Sequence, residues 1–195
     1  LGMTGGWNLS KSKHSHYEFI LENGESIWFN DMRNFGTIKF CSNELEFKKK
    51  VDKLGPDVLE PDFTLEIFTN IMKKKRNLDK TIPEIFMNQS HLSGIGNYLK
   101  SEILYESRIS PHRKLESLTE NDLEVLFRNI VKISNNSLKA GGATIRNYSN
   151  IDDETGKYVF QFKVYQQKKD PNGFEVKRIE TKDKRTTHWV EEVQI

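Results

Sequence analysis

Between Asp62 and Ala140 apolar residues recur at helical spacing, and the recurrence is sharply interrupted at Ser93-Gly94-Ile95-Gly96-Asn97. Phe63, Ile67, Phe68 and Ile71 fall on one helical face. Pro83 suits the first turn of a following helix, where its missing N–H has no partner to lose, with Ile82, Ile85, Phe86 and Leu92 as the apolar side. After the glycines a helix is expected from Asn97 to Ser107 with Leu99, Ile103 and Leu104 inward, stopped by Ile109-Ser110-Pro111. Ser117 or Thr119, with Glu120 and Asp122, opens the longest helix, which runs to Leu138 on Leu123, Leu126, Phe127, Ile130, Val131 and Ile133. Gly141-Gly142 is expected to end it.

The flanks have a different period. Residues 17–22 and 26–30 read as strands around Asn23-Gly24, a pair whose two residues both tolerate positive φ in a tight hairpin, and Thr37–Phe40 reads as a third strand. Glu44–Leu54 reads as a short charged helix, and the breakers Gly55-Pro56 and Glu60-Pro61-Asp62 suggest a boundary near 55–62. The tail reads as strands at 158–165, 174–179 and 186–193, with a turn at Asp170-Pro171-Asn172-Gly173. The order β, all-α, β-hairpin places the chain in the α+β class.

Composition narrows the function classes. A lone cysteine, Cys41, excludes an internal disulfide and every zinc site that draws two or more Cys from this chain. No apolar run reaches the roughly 20 residues of a membrane helix, no secretory leader is visible, and an intracellular setting is expected, whether nuclear, viral or bacterial. The net charge of +2 predicts no partner by itself. The cations are clustered, however: Lys73-Lys74-Lys75-Arg76 is a run of four, and between Lys163 and Trp189 eight Lys/Arg face four acids. Such clusters attract phosphate backbones, although a solvated surface has the same appearance.

The Gly94-Ile95-Gly96-Asn97 corner is where chemistry enters. Glycines let backbone approach a phosphate with no Cβ in the way, N–H groups at a helix start bind anions, and Asn97 adds an amide. A tight connection between two helices would look the same.

The stretch from Asn88 to Tyr105 resembles the helix–two-turns–helix of the formamidopyrimidine-DNA glycosylase / endonuclease VIII family, and is most similar to endonuclease VIII-like members. His14-Ser15-His16, the Asn23-Gly24 hairpin, Asp31-Met32-Arg33-Asn34-Phe35-Gly36, Leu54-Gly55-Pro56-Asp57, residues 141–148 and Lys184-Arg185-Thr186-Thr187 follow in that family's order and spacing. The resemblance implies the C-terminal part of a β-sandwich domain over 1–58, a helix–two-turns–helix DNA-binding domain over 59–150 and a finger over 151–195. With no cysteine after position 41, that finger resembles the zincless β-hairpin of some endonuclease VIII-like proteins, so neither a metal nor another cofactor is expected.

By the same resemblance Met3, Arg33 and Phe35 fill the gap left by an everted base, a task suited to a thioether, a guanidinium and a ring because eversion costs a few kcal/mol of stacking. His14, Lys75, Arg76 and Asn97 are implied DNA contacts, with Asn97 on phosphate. Arg185 is implied to bind the phosphate beside the lesion and to assist the second elimination step, which makes it the expected reaction-linked residue. The family's nucleophile is an N-terminal proline followed by a Glu, and no position here matches them. The expectation is an N-terminally shortened form of a longer base-excision glycosylase with AP lyase (β,δ-elimination) activity on oxidised bases, leaning to pyrimidines and hydantoins. This exact chain is then expected to be inactive, a monomer, and a binder of damaged DNA, double- or single-stranded. A non-catalytic DNA-binding remnant and a helical interaction module with incidental basic patches are the rival readings.

Overall fold

The computed structural model describes residues 5–34, 36–140 and 161–195. They belong to two compact units: Leu1–Ser42 with Ser137–Gln161, and Asn43–Asn136 with Phe162–Ile195.

The first unit holds an antiparallel sheet of β1 (Gly5–Asn8), β2 (Ser15–Ile20) and β3 (Ser26–Asp31), in the order β1-β3-β2. The third strand is therefore Gly5–Asn8, and residues 37–40, expected to be that strand, are not in the sheet. Two glycines with weak strand preference conceal β1 in the sequence. What places it is Trp7, opposite Phe29 in the register, with ring centroids 5.1 Å from Phe29 and 5.4 Å from Phe19. The hairpin also departs from expectation. Only Gly24 has positive φ, at 83°, and its N–H donates to Leu21 O at 2.9 Å. The loop is thus a type I turn closed by a left-handed glycine, the usual three-residue solution, and not the two-residue turn in which both residues flip.

The second unit contains α1 (Glu44–Val51), α2 (Leu65–Met72), α3 (Ile82–Phe86), α4 (Asn97–Glu106), α5 (Glu120–Lys139, whose last residues fall in the first unit) and the hairpin β4 (Lys177–Glu180) and β5 (Thr186–Trp189). The helix ends obey local chemistry. Asn43 Oδ1 accepts from Glu46 N at 2.9 Å to start α1. Thr81 and Glu84 form a reciprocal capping box on α3, with Pro83 in its first turn. Thr119 and Asp122 exchange bonds of 2.9 and 3.1 Å at the start of α5. Phe68, Ile82, Ile85, Phe86, Leu92, Ile103, Leu104, Leu126 and Ile130 are fully buried and make the core.

Helix α4 departs from an amphipathic pattern. Its residues Leu99 to Tyr105 are all buried, Lys100, Ser101 and Glu102 among them. A helix enclosed on all sides must find partners for its polar groups. They come from the C-terminal segment, which is less regular than its alternating sequence suggests. Residues 161–165 are not a strand, and the strands expected at 174–179 and 186–193 are only 177–180 and 186–189. The expected strand residues 158–160 and the Gly141–Tyr148 motif lie outside the described residues. The segment's own apolar cluster is small: Val164, Val176 and Val190 with Tyr105 of α4.

Candidate nucleic-acid interface

The Gly-x-Gly-Asn corner joins α3 to α4. Gly94 has φ 93°, a region where a side chain is strained, and a Cβ there would lie 3.2 Å from Asp57 Oδ1. Gly96 caps α4 in extended backbone with no side-chain cap, and nothing lies within 4 Å of where its Cβ would be. The two glycines therefore differ: the first is required by the turn, and the second leaves open space in front of an uncapped helix N-terminus. An N-terminus of this kind presents N–H donors to an anion. Gly96→Ala should leave the melting temperature within about 2 °C of wild type, since no atom must move and the preference for Gly over Ala at an N-cap is worth about half a kcal/mol. It should weaken binding to duplex DNA severalfold in a fluorescence-anisotropy titration.

Asn97 begins α4, and its Nδ2 donates to Thr186 O at 3.0 Å. The amide expected to meet a phosphate is thus also the tie between α4 and β5, next to Arg185. Arg185 itself is exposed at the end of the β4–β5 loop. Its carbonyl accepts from Thr181 N at 3.1 Å, which closes the loop. Beneath it, Lys100 Nζ and Asp183 Oδ2 are 2.7 Å apart, with side chains 0% and 3% exposed. Burial pushes the Lys100 pKa down, and its bond to Asp183 pulls it back.

Three more contacts seat the segment on α4. Glu102 Oε1 accepts from Val164 N at 3.0 Å and Tyr165 N at 2.8 Å, while Oε2 accepts from Lys163 N at 3.0 Å. Burial raises the Glu102 pKa, against the pull of these bonds. Tyr105 Oη donates to Asp170 Oδ2 at 2.8 Å, and the buried phenol is pushed up to about 12. Burial works against the charge of Asp170, but bonds from Tyr105, Phe174 and Asn172 outweigh it and hold the carboxyl below its usual range. His188 N donates to Ser101 Oγ at 3.3 Å.

The His188 ring is buried, edge-on to Tyr165 at 4.9 Å, and its Nδ1 has no partner among the described residues. Burial, with Arg178 and Lys100 nearby, pushes its pKa down to about 4 from 6.5. A histidine depressed in the folded state contributes stability that is complete above pH 6.5 and lost as pH falls toward 4. Acidification from pH 7 to pH 5 should therefore cost about 2 kcal/mol from this group. Urea midpoints at the two pH values, for wild type and His188→Phe, check this, the variant losing correspondingly less.

The cationic run lies at the 3-10 turn Lys75–Asn77 after α2, and Lys75 and Arg76 are exposed. Lys73 pairs with Glu120. Burial lowers the His91 pKa, and the charges of Lys80, Arg76 and Lys74 lower it further, so these cations share one electrostatic neighbourhood. Lys80 also lines an open groove of about 450 Å³ with Glu84, Met87, Asn88, Gln89, Lys182 and Asp183, two cations against two acids, which runs from the α3–α4 corner to the β4–β5 loop.

The first unit carries the other expected residues. His14 is half-buried before β2, its carbonyl accepting from Asp31 N at 3.0 Å. Arg33 is exposed. The buried Asp31 carboxylate accepts from Arg33 N at 3.2 Å and from Gly36 N, and so braces the turn that presents Arg33. Met3 and Phe35 lie outside the described residues. Of the expected site, then, Asn97 and Arg185 are brought together, and Arg76 shares the field around His91. Sequence reasoning missed Lys100, Glu102 and Asp183: charges at the first two look like the solvated side of α4, and Asp183 sits in the β4–β5 loop far from its partner in sequence. It also missed the bracing role of Asp31. Among the described residues no group of three or more His, Cys, Asp or Glu could hold a metal ion. A cysteine-ligated zinc finger does not fit this chain, which has no cysteine beyond Cys41.

Residues 54–149 match the formamidopyrimidine-DNA glycosylase H2TH domain, and residues 150–195 the C-terminal domain of the same enzymes. A formamidopyrimidine-DNA glycosylase of Ligilactobacillus salivarius is 32% identical over 187 residues, covering 94% of this chain and 66% of that protein. One from Rickettsia felis is 35% identical over 173 residues, covering 85% of this chain and 60% of its own length. Among solved structures, MutM (Fpg) of Thermus thermophilus has a TM-score of 0.83 at 25% identity, covering 99% of this chain and 73% of that one. Lactococcus lactis Fpg in complex with abasic-site DNA has a TM-score of 0.83 at 26% identity, covering 99% and 72%. Two successive domain matches, the full-length fold likeness and the α4–hairpin site agree: the chain belongs to the formamidopyrimidine-DNA glycosylase family. It spans roughly three-fifths of the length of the curated relatives it matches.

Proposed function

We propose that this chain holds and distorts damaged DNA as part of a base-excision DNA glycosylase with AP lyase activity. The carrying observation is the bond from Asn97 Nδ2 to Thr186 O, which sets an uncapped helix N-terminus beside the exposed Arg185. Two anion-binding devices on one face suit the phosphates that flank an everted nucleotide. In this reading Asn97 and the α4 N–H groups take one phosphate and Arg185 takes that beside the lesion, with Lys75 and Arg76 adding charge. Arg33, with Met3 and Phe35, fills the space the base leaves, and His14 contacts the backbone. Arg185 also neutralises charge that develops on the leaving phosphate in the second elimination. The finger is of the zincless, endonuclease VIII-like kind, a reading supported by the absence of cysteine after position 41 and by the Val164–Val176–Val190 cluster. Oxidised pyrimidines and hydantoins are the proposed lesions.

The test is binding of this chain to a duplex with a single tetrahydrofuran abasic analogue, titrated at several salt concentrations. Affinity should fall steeply with salt, and Arg185→Ala should cost about tenfold and lower the slope of log K against log salt by about one. Equal affinity for wild type and Arg185→Ala overturns the assignment. The family's proline amine has no counterpart here, so borohydride treatment of the chain on a true abasic site should trap no cross-link. A trapped adduct would place a nucleophile within these residues.

A further inference from the structure

Lys100 sits in the middle of α4 and Asp183 in the β4–β5 loop, yet they meet at 2.7 Å with almost no access to solvent. A buried ion pair is a poor source of stability, because desolvation of two charges offsets most of their attraction. It is a good source of uniqueness, because any other arrangement strands a charge. The second oxygen of Asp183 accepts from the Thr181 hydroxyl, and that hydroxyl lies 3.1 Å from Arg185 O and 2.7 Å from Thr187 Oγ1. Thr181 N also donates to Arg185 O at 3.1 Å. One residue further on, Thr186 O is held by Asn97. The two successive peptide groups that follow the Arg185 Cα are therefore fixed to α4 through side chains, while the guanidinium stays in solvent.

We propose that Lys100, acting through Asp183, is the positioning residue that sets where Arg185 meets a DNA phosphate; this rests on the reading of Arg185 as a phosphate contact. Lys100 touches no DNA in this arrangement. Its effect passes through the loop alone, and the charge of the pair is zero in the far field.

The experiment uses the 195-residue chain and the tetrahydrofuran duplex across a salt series. Lys100→Met with Asp183→Leu removes the pair, keeps net charge and leaves no stranded ion. It should reproduce the loss of Arg185→Ala, about tenfold in Kd with the salt slope lowered by about one. Added to Arg185→Ala it should cost nothing more, and Lys100→Arg should keep wild-type binding. Asp183→Asn covers the case in which the double variant fails to fold. Removal of an acid beside DNA tightens binding if only bulk charge matters, whereas loss of positioning weakens it, and we expect a loss of about threefold. Wild-type affinity in the double variant, additive losses with Arg185→Ala, or tighter binding by Asp183→Asn overturns the proposal while leaving Arg185 as a contact. An unchanged Arg185→Ala removes the underlying reading, and this inference with it.

Discussion

Glu102→Ala should cost about 3–5 kcal/mol of folding stability, because it leaves the buried N–H groups of Val164 and Tyr165, and the partly buried one of Lys163, with no acceptor. The Val164 and Tyr165 donors have lost water on folding, and the carboxylate is the acceptor that receives them together with Lys163 N. Water entering the space left by the side chain recovers part of the loss, so the sum stays below three separate penalties. Glu102→Gln keeps one oxygen, the acceptor for Val164 and Tyr165, and turns an N–H toward that of Lys163; about 1–2 kcal/mol is expected there. Urea unfolding of the three proteins, with equal slopes, measures both numbers. A loss under 1 kcal/mol for the alanine variant would mean that residues 163–165 do not depend on this carboxylate. DNA binding should fall with the alanine variant even below its unfolding midpoint, since the same segment leads into the hairpin that carries Arg185.

Gly55→Ala is the second large effect, and its origin is space. A Cβ at residue 55 would lie 2.4 Å from both the carbonyl carbon and oxygen of His91, and 2.9 Å from Leu92 N. These are backbone atoms and cannot turn aside as a flexible side chain would. They belong to the corner before α4, and Gly55 N donates to Gln89 O there at 2.8 Å. Separation of the two segments breaks that bond and shifts the turn toward the DNA-binding face. About 2–4 kcal/mol is expected, or roughly 4–16 °C in melting temperature for a chain of this size. The contrast with Gly96→Ala, expected to melt as wild type, makes the pair informative. The first change damages the scaffold and the second only the open ground in front of the helix. Similar melting temperatures for the two variants would contradict this division.

What the sequence disclosed followed the reach of each interaction. Helices α2 to α5 were visible because their apolar spacing, caps and breakers are local: Pro83 and Thr119 announce their helices within a turn, although α3 stops at Phe86 and leaves Leu92, expected on its apolar side, in the turns before α4. Strand β1 was hidden because Gly5 and Gly6 have no strand preference, and only the packing of Trp7 on Phe19 and Phe29 holds it. Thr37–Phe40 alternates like a strand but is not part of the sheet. The irregular path near 161–176 was misread for a related reason. Its alternating YVFQFKVY pattern buries Val164 and Tyr165 against α4, and Glu102 satisfies backbone groups that a neighbouring strand would otherwise take. Asn97 and Arg185 were legible through family resemblance. Lys100 and Asp183 were not, because a pair 83 residues apart leaves no local trace.

The β4–β5 loop also bears on how such a protein can change over generations. Thr181 and Thr187 are buried and Asp183 is nearly so in its side chain, whereas Lys182, Lys184, Arg185 and Thr186 face outward. Inward positions are locked to one another and to α4, so drift there is penalised together. The outward lysine side chains form no ion pair with another described residue and can be exchanged singly, at 184 within the limits of a left-handed backbone, φ 57°. A lineage could thus raise or lower its grip on DNA by small charge steps at residues 182 and 184, with the frame around Arg185 untouched. A saturation library of residues 181–187 should show this division as two separate tolerance profiles, one for folding and one for affinity.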